Sequence, residues 1–185
     1  MRHSDAVAML AGARLPSSVA IWADLGCGDG TFTRALAESL PQGSVIHAID
    51  LDARALSHIP ASTSVRIEKH VGDFTRAWPF DVVLDGILMA NSLHFVSDQS
   101  AFLARCVSLS SLQSFLVVEY DTDASNPWVP YPVDFASLSR LFSSVGFRTE
   151  RLSSRRSRYQ RAPLYSALGS RIADFGRNSG GASNR

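Results

Sequence analysis

The chain has 185 residues, enough for one sizeable core, and its 45% apolar and 19% charged residues are ordinary for a globular protein. A formal net charge of +1 creates no global field that would argue for nucleic acid or a membrane surface as partner. Cys27 and Cys106 make no disulfide framework, no stretch reaches the length of a membrane span, and Met1 to Leu10 is not built as a signal peptide. The expectation is a cytoplasmic protein without a membrane segment.

In chain order, Ser4 is placed to cap a short helix running to Leu10, and Arg14 to Ser18 make a turn. The stretch Val19 to Gly30 then reads Val-Ala-Ile-Trp-Ala-Asp-Leu-Gly-Cys-Gly-Asp-Gly. Its first half is an apolar run of strand type and its second half a glycine loop. Thr31 to Leu40 follow with a helical pattern whose buried stripe is Phe32, Ala35, Leu36 and Leu40. A strand, a glycine turn and a helix open a nucleotide-binding α/β sheet. The dinucleotide fingerprint wants glycine at its first, third and sixth positions. Counted from Gly26, the sixth residue is Thr31 and the glycines are Gly26, Gly28 and Gly30, which disfavours NAD or FAD.

Ser44 to Leu51 form a second buried strand ending in Asp50, 20 residues beyond Gly30. A carboxylate at that strand tip can accept both hydroxyls of an adenosine ribose, the alternative being a helix cap. Asp52 is expected to cap a helix over Ala53 to His58. Val65 to Val71 make a third strand leading to Gly72-Asp73-Phe74. A fourth begins at Asp81 or Asp85 and ends at Asn91-Ser92-Leu93-His94-Phe95. Ser97 and Asp98 start a helix to Ser108, and Ser114 to Tyr120 form the fifth strand. Three prolines within Asn126 to Pro132 exclude helix or central strand there; the segment, with Trp128 and Tyr131, is either a wall over the acceptor or a connector packed on the core. Phe135 to Val145 are an amphipathic helix ended by Gly146, and two strands follow, over Arg148 to Ser153 and Ala162 to Leu168. Between them, Arg155, Arg156, Arg158 and Arg161 with Tyr159 either hold phosphate or RNA or form the solvated face of an edge hairpin. Residues 1–175 are expected to form one domain, with 176–185 a disordered tail.

The run Asp24-Leu25-Gly26-Cys27-Gly28-Asp29-Gly30 resembles the first signature of class I S-adenosylmethionine-dependent methyltransferases. The order of glycine loop, Asp50 and Asp73-Phe74 is similar to that family over Ile21 to Leu168. The resemblance implies a three-layer α/β fold with a mostly parallel seven-stranded sheet whose last strand is antiparallel. It implies that Asp24, Gly26, Cys27, Gly28 and Gly30 cradle the methionine end of S-adenosylmethionine. It further implies that Asp50 and Leu51 hold the ribose, Asp73 and Phe74 the adenine, and that Asn91 touches the methionine moiety. The product would be S-adenosylhomocysteine, and no metal ligand set is assigned. His94 and Tyr131 are the candidate catalytic side chains, His94 being equally a packing residue. The acceptor is expected to be a small molecule. The alternatives are an RNA methyltransferase using the Arg155–Arg161 hairpin and a non-catalytic regulatory module that binds the methyl donor.

Overall fold

The computed structural model of the chain describes residues 1–157 and 161–173, so Arg158, Tyr159 and the expected tail lie outside the described residues. The elements run α1 (His3–Leu10), β1 (Ile21–Leu25), α2 (Thr31–Ala37), β2 (Val45–Asp50), α3 (Ala53–Ser57), β3 (Arg66–Val71) and β4 (Gly86–Ala90). A 3-10 turn over Leu93–Phe95 leads into α4 (Gln99–Ser108), β5 (Ser114–Tyr120), α5 (Phe135–Ser144), β6 (Phe147–Arg155) and β7 (Leu164–Arg171). The seven strands form one sheet in the order β3-β2-β1-β4-β5-β7-β6. The first five are parallel, whereas β7 is antiparallel to both β5 and β6. This is the seven-stranded sheet with an antiparallel last strand that the sequence led us to expect.

Burial on both faces explains the continuous apolar runs of the central strands. On one face Ala23, Leu25, Ile87, Met89, Phe115 and Val117 pack with Phe102, Leu103 and Cys106 of α4 and Leu138 and Phe142 of α5. On the other, Trp22, Ile46, Leu88 and Leu116 pack with Ala6, Met9 and Leu10 of α1 and Phe32, Ala35 and Leu36 of α2. Trp22 is fully buried, and its indole fits only because its neighbour on β4 is Gly86. A Cβ at Gly86 would stand 2.4 Å from the Trp22 ring, so Gly86→Ala is expected to cost about 1–3 kcal/mol of stability, read as a lower urea midpoint with an unchanged slope.

The expected helix starts hold at Asp52 and Asp98, whose carboxylates accept backbone N–H groups of the following turn, and Asp134, not singled out from the sequence, caps α5 in the same way. Ser4 is not a cap. Helix α1 starts one residue earlier, its flanking residue Arg2 makes no side-chain cap, and the Arg2 guanidinium instead pairs with Asp5. The fourth strand starts at Gly86, later than Asp81 and one residue beyond Asp85. The apolar Val82 and Val83 upstream are 36% and 59% exposed, so that run is a surface segment rather than sheet. Asp85 closes it by accepting the Ile21 N–H on its carboxylate at 2.8 Å.

Candidate functional site

Loops leaving the carboxyl ends of β1, β2, β3 and β4 surround an open cavity of about 410 Å³, within the range of sites that bury a small ligand. Its lining comprises Gly26, Asp50, Leu51, Asp73, Phe74, Thr75, Asn91, Ser92 and Phe95. Six of the residues expected from the sequence to contact a cofactor are therefore gathered at one edge of the sheet.

The glycine loop is the floor. Gly26 and Cys27 donate their N–H groups to the Ile49 carbonyl at 2.9 and 3.0 Å, which stitches the loop to the neighbouring strand. Gly26 and Gly28 have φ of +77° and +55°, a region that residues with a Cβ adopt only at a cost. The two differ in surroundings. A Cβ on Gly26 would lie 2.6 Å from the Ser92 Cβ and 3.1 Å from the Phe74 ring, whereas one on Gly28 would meet nothing within 4 Å. Gly26 is thus required by packing, and Gly28 leaves bare backbone toward open space. The Cys27 side chain turns away and packs with Ala48, Leu56 and Ile59, where burial raises its thiol pKa. Only its backbone belongs to the loop's ligand side.

Asp50 joins loop and strand. Its Oδ2 accepts the Gly28 N–H at 2.7 Å and its Oδ1 the Asp52 N–H at 2.9 Å. A carboxylate offers about four acceptor positions, so roughly two remain for a pair of ligand hydroxyls. Asp73 is bound within its own turn: Oδ1 accepts from the Thr75 N–H and hydroxyl, and Oδ2 lies 3.3 Å from Arg76 Nε. The Thr75 hydrogen bonds hold its pKa below the usual carboxylate range. Phe74 is 9% exposed, its ring edge-on to Phe102.

Two buried polar atoms at this edge have no partner within the protein. One is Asp24 Oδ1, on a residue that is fully buried at the end of β1 beneath the glycine loop. The other oxygen accepts the Thr33 hydroxyl at 2.6 Å. Burial pushes the Asp24 pKa up to about 7; the Thr33 hydrogen bond opposes the shift and the Asp50 charge adds to it. The second atom is Asn91 Oδ1, on a residue held at φ +55° with its N–H donated to the Val118 carbonyl at 2.8 Å. An unpaired buried oxygen costs free energy unless a ligand or water supplies a donor. A cationic amino group fits the buried carboxylate, and a bare-backbone cradle with a carboxylate beside it fits an adenosine moiety.

The two candidate catalytic side chains do not line this cavity. His94 is only 3% exposed, its Nδ1 lies 2.6 Å from Glu119 Oε2, and its ring stands 4.4 Å from that of Phe95. Tyr131 is 46% exposed, and its N–H is donated to the His94 carbonyl at 3.0 Å. The proline-rich segment is thereby hung on the loop after β4. Thr75, Ser92 and Phe95 were not singled out from the sequence. Ser92 is a buried strut, its hydroxyl donating to the Leu25 carbonyl at 2.5 Å, and nothing in a lone serine announces that. Phe95, at 54% exposure beside the cavity, carried the one readable signal: an aromatic in a strand-end loop.

Residues 23–111 match a family model described as a methyltransferase domain. Over that stretch the chain is similar to a methyltransferase domain. Three solved structures share its fold. Magnesium protoporphyrin IX methyltransferase from Synechocystis PCC 6803, with bound S-adenosylmethionine, is 18% identical with a TM-score of 0.60 over 91% of this chain and 78% of its own. A S-adenosylmethionine-dependent methyltransferase from Methanosarcina mazei is 14% identical with a TM-score of 0.63, over 85% of this chain and 94% of its own. CalO1, a methyltransferase in calicheamicin biosynthesis with S-adenosylhomocysteine bound, is 18% identical with a TM-score of 0.61, over 92% of this chain and 54% of its own. No curated protein matches the sequence significantly.

Proposed function

We propose that this chain takes S-adenosylmethionine in the cavity at the carboxyl edge of the sheet and transfers its methyl group to a small-molecule acceptor. The observation that carries the reading is the pair of unpartnered buried oxygens, on Asp24 and Asn91, flanking a cradle of bare backbone. In this reading Asp24 receives the methionine ammonium, and the Gly26 to Gly30 backbone lies against the methionine chain. Asp50, with Leu51 beside it, takes the ribose hydroxyls on its free lone pairs. Asp73 and Phe74 border the adenine, and Asn91 offers its amide to the methionine end.

The donor's sulfonium supplies an already activated methyl group, so the protein's task is placement of the acceptor in line and exclusion of water. Phe95, Trp128 and Tyr131, exposed at 54%, 77% and 46%, are the aromatic surfaces offered to an acceptor, and Tyr131 is tied to the loop bearing Phe95. If the acceptor must lose a proton, His94 and Tyr131 are the groups assigned to it. With Nδ1 engaged by Glu119, the His94 ring has Nε2 left for that role. A small acceptor is favoured over RNA at one of the hairpin arginines, Arg155, and at its neighbour Arg151. Arg155 pairs with Asp5 at 3.1 Å, and Arg151 pairs with Asp121 at 2.9 Å while stacking on Phe135, so neither presents a free cation. Among the described residues no helix is long and apolar enough to cross a membrane, and the two cysteines are free, which supports a reducing, cytoplasmic setting.

The test is incubation with methyl-labelled S-adenosylmethionine and fractionated cell extract. Label is expected in the small-molecule fraction; label confined to RNA or protein overturns the acceptor class. The site is tested separately with Asp50→Ala, expected to weaken S-adenosylhomocysteine binding by about 1–3 kcal/mol in calorimetry through loss of buried hydrogen bonds. Unchanged affinity would remove Asp50 from the ribose.

A further inference from the structure

A second cluster of chemistry-bearing side chains lies away from the cavity, on the face of the sheet shared with α4, where β2 meets the edge strand β3. The parallel register sets His47 beside Glu68 and Ile49 beside His70, which brings His47, Glu68 and His70 onto one face. No helix links β3 to β4 among the described residues. That connection instead carries Phe80 over the two imidazoles, stacked at 4.3 Å on His47 and tilted at 5.3 Å from His70, with Trp78 5.8 Å behind it.

We propose that His47, Glu68 and His70 form a binding site for a divalent transition-metal ion, with Zn²⁺ the ion that best suits their geometry. One potential ligand atom from each residue lies within 4.8 Å of the other two. His47 Nδ1 is 3.0 Å from His70 Nε2 and 3.3 Å from Glu68 Oε2. In a tetrahedral zinc site with bonds of about 2.0–2.1 Å, neighbouring ligand atoms stand roughly 3.3–3.4 Å apart. The two separations from His47 are therefore within a few tenths of an ångström of the tetrahedral value, and the third is at most 4.8 Å.

The hydrogen-bonding alternative is less satisfying chemically. A single proton on His47 Nδ1 would be shared between two acceptors, whereas one cation satisfies a lone pair from each residue at once. Two imidazoles and one carboxylate are a familiar donor set for first-row divalent ions, and the fourth position is left for water. The surroundings have the features that fix such ligands. Arg66 Nη1 holds the second Glu68 oxygen at 2.8 Å, leaving Oε2 as the ligating atom. The Phe80 and Trp78 rings give an apolar cover, and His47 itself is 4% exposed.

Such an ion would act as a staple. His47 precedes Asp50 by three residues and His70 precedes Asp73 by three, so the ion ties together the two strands whose tips border the cofactor cavity. The proposal does not depend on what the cavity binds.

The experiment uses the full chain, stripped with a chelator and dialysed, and titrated with ZnCl₂ in a calorimeter and with CoCl₂ in a visible spectrometer. Saturation at one ion per chain, a raised melting midpoint and the intense visible bands of tetrahedral Co²⁺ are expected. Glu68→Gln and His70→Gln sit on a partly exposed edge strand, where folding is checked by circular dichroism. Each is expected to weaken Zn²⁺ binding by at least about 100-fold, beyond the 10- to 100-fold typical of groups one shell further out. His58→Gln, on an exposed residue after α3, is expected to leave binding unchanged. Absence of saturable Zn²⁺ binding, or binding that survives His70→Gln in folded protein, overturns the site.

Discussion

Replacing Asp24 by asparagine is expected to stabilise the ligand-free protein at pH 8 while weakening its hold on S-adenosylhomocysteine by about 1.5–3 kcal/mol, roughly 10- to 100-fold. Both effects come from one buried carboxyl. Its pKa is pushed up to about 7 from an ordinary 3.8, chiefly because burial penalises the charged form. A raised carboxyl pKa means that the folded state binds the proton more tightly than the unfolded chain. The resulting stability is fully present below pH 3.8 and is lost as pH rises through about 7. Asparagine stays neutral throughout, so it recovers as much as about 4 kcal/mol above pH 7 and little at pH 4. Melting curves of both proteins from pH 4 to 8 read the difference directly, and parallel curves would dissociate Asp24 from any raised pKa. Binding has the opposite slope. A ligand ammonium favours the ionised carboxylate, so affinity climbs as pH approaches 7 and binding below that pH releases a proton. Calorimetry in buffers of different ionisation enthalpy counts that proton, and Asp24→Asn is expected to abolish its release.

The second large effect separates two neighbouring glycines. Gly26→Ala is expected to unfold or severely destabilise the protein, by about 2–4 kcal/mol, since strain at positive φ adds to a collision in a packed site. Its new methyl would stand 2.6 Å from the Ser92 Cβ, which is itself fixed by the hydrogen bond to Leu25. Gly28→Ala meets no atom within 4 Å, so its cost is limited to the left-handed backbone, about 1–2 kcal/mol. In the proposed reading its methyl would project into the space taken by the donor's methionine chain. The expected pair of results is a poorly folded Gly26→Ala and a folded Gly28→Ala that no longer responds to S-adenosylhomocysteine in a thermal shift. Equal loss of stability in both would refute the division of labour within the loop.

Most of the architecture was legible because its signals are local. The run Phe-Leu-Val-Val-Glu-Tyr marks β5, and the glycine loop and the acids at the strand tips, all readable in the sequence, contribute Gly26, Asp50 and Asp73 to the cavity lining. What escaped the sequence depends on the third dimension. Val82 and Val83 look like strand residues, yet the chain there runs over the surface and sheet pairing begins only at Gly86, where the Trp22 indole needs room. Ser4 has the chemistry of a cap, but the neighbouring Arg2–Asp5 pair falls across the first turn. His94 was equally readable as a base or a packing residue, and only the fold shows the Glu119 carboxylate beneath it. His47 and His70 are 23 residues apart with no motif between them, and strand register alone makes them neighbours.

The position of β7 has a bearing on how the chain is made. It is the last strand among the described residues, yet it lies inside the sheet, with β5 on one side and β6 on the other. While the ribosome is still producing it, β5 has a bare edge and β6 has nothing to join. The adjacent β6 and β7 can pair first as a local hairpin and then dock on β5 together, closing the sheet in one late step. Ser166 of β7 donates to the Met9 carbonyl, so the same step also fastens the carboxyl-terminal strand to the helix at the opposite terminus. Completion of the sheet therefore waits on β7, which follows in sequence every residue that lines the cavity.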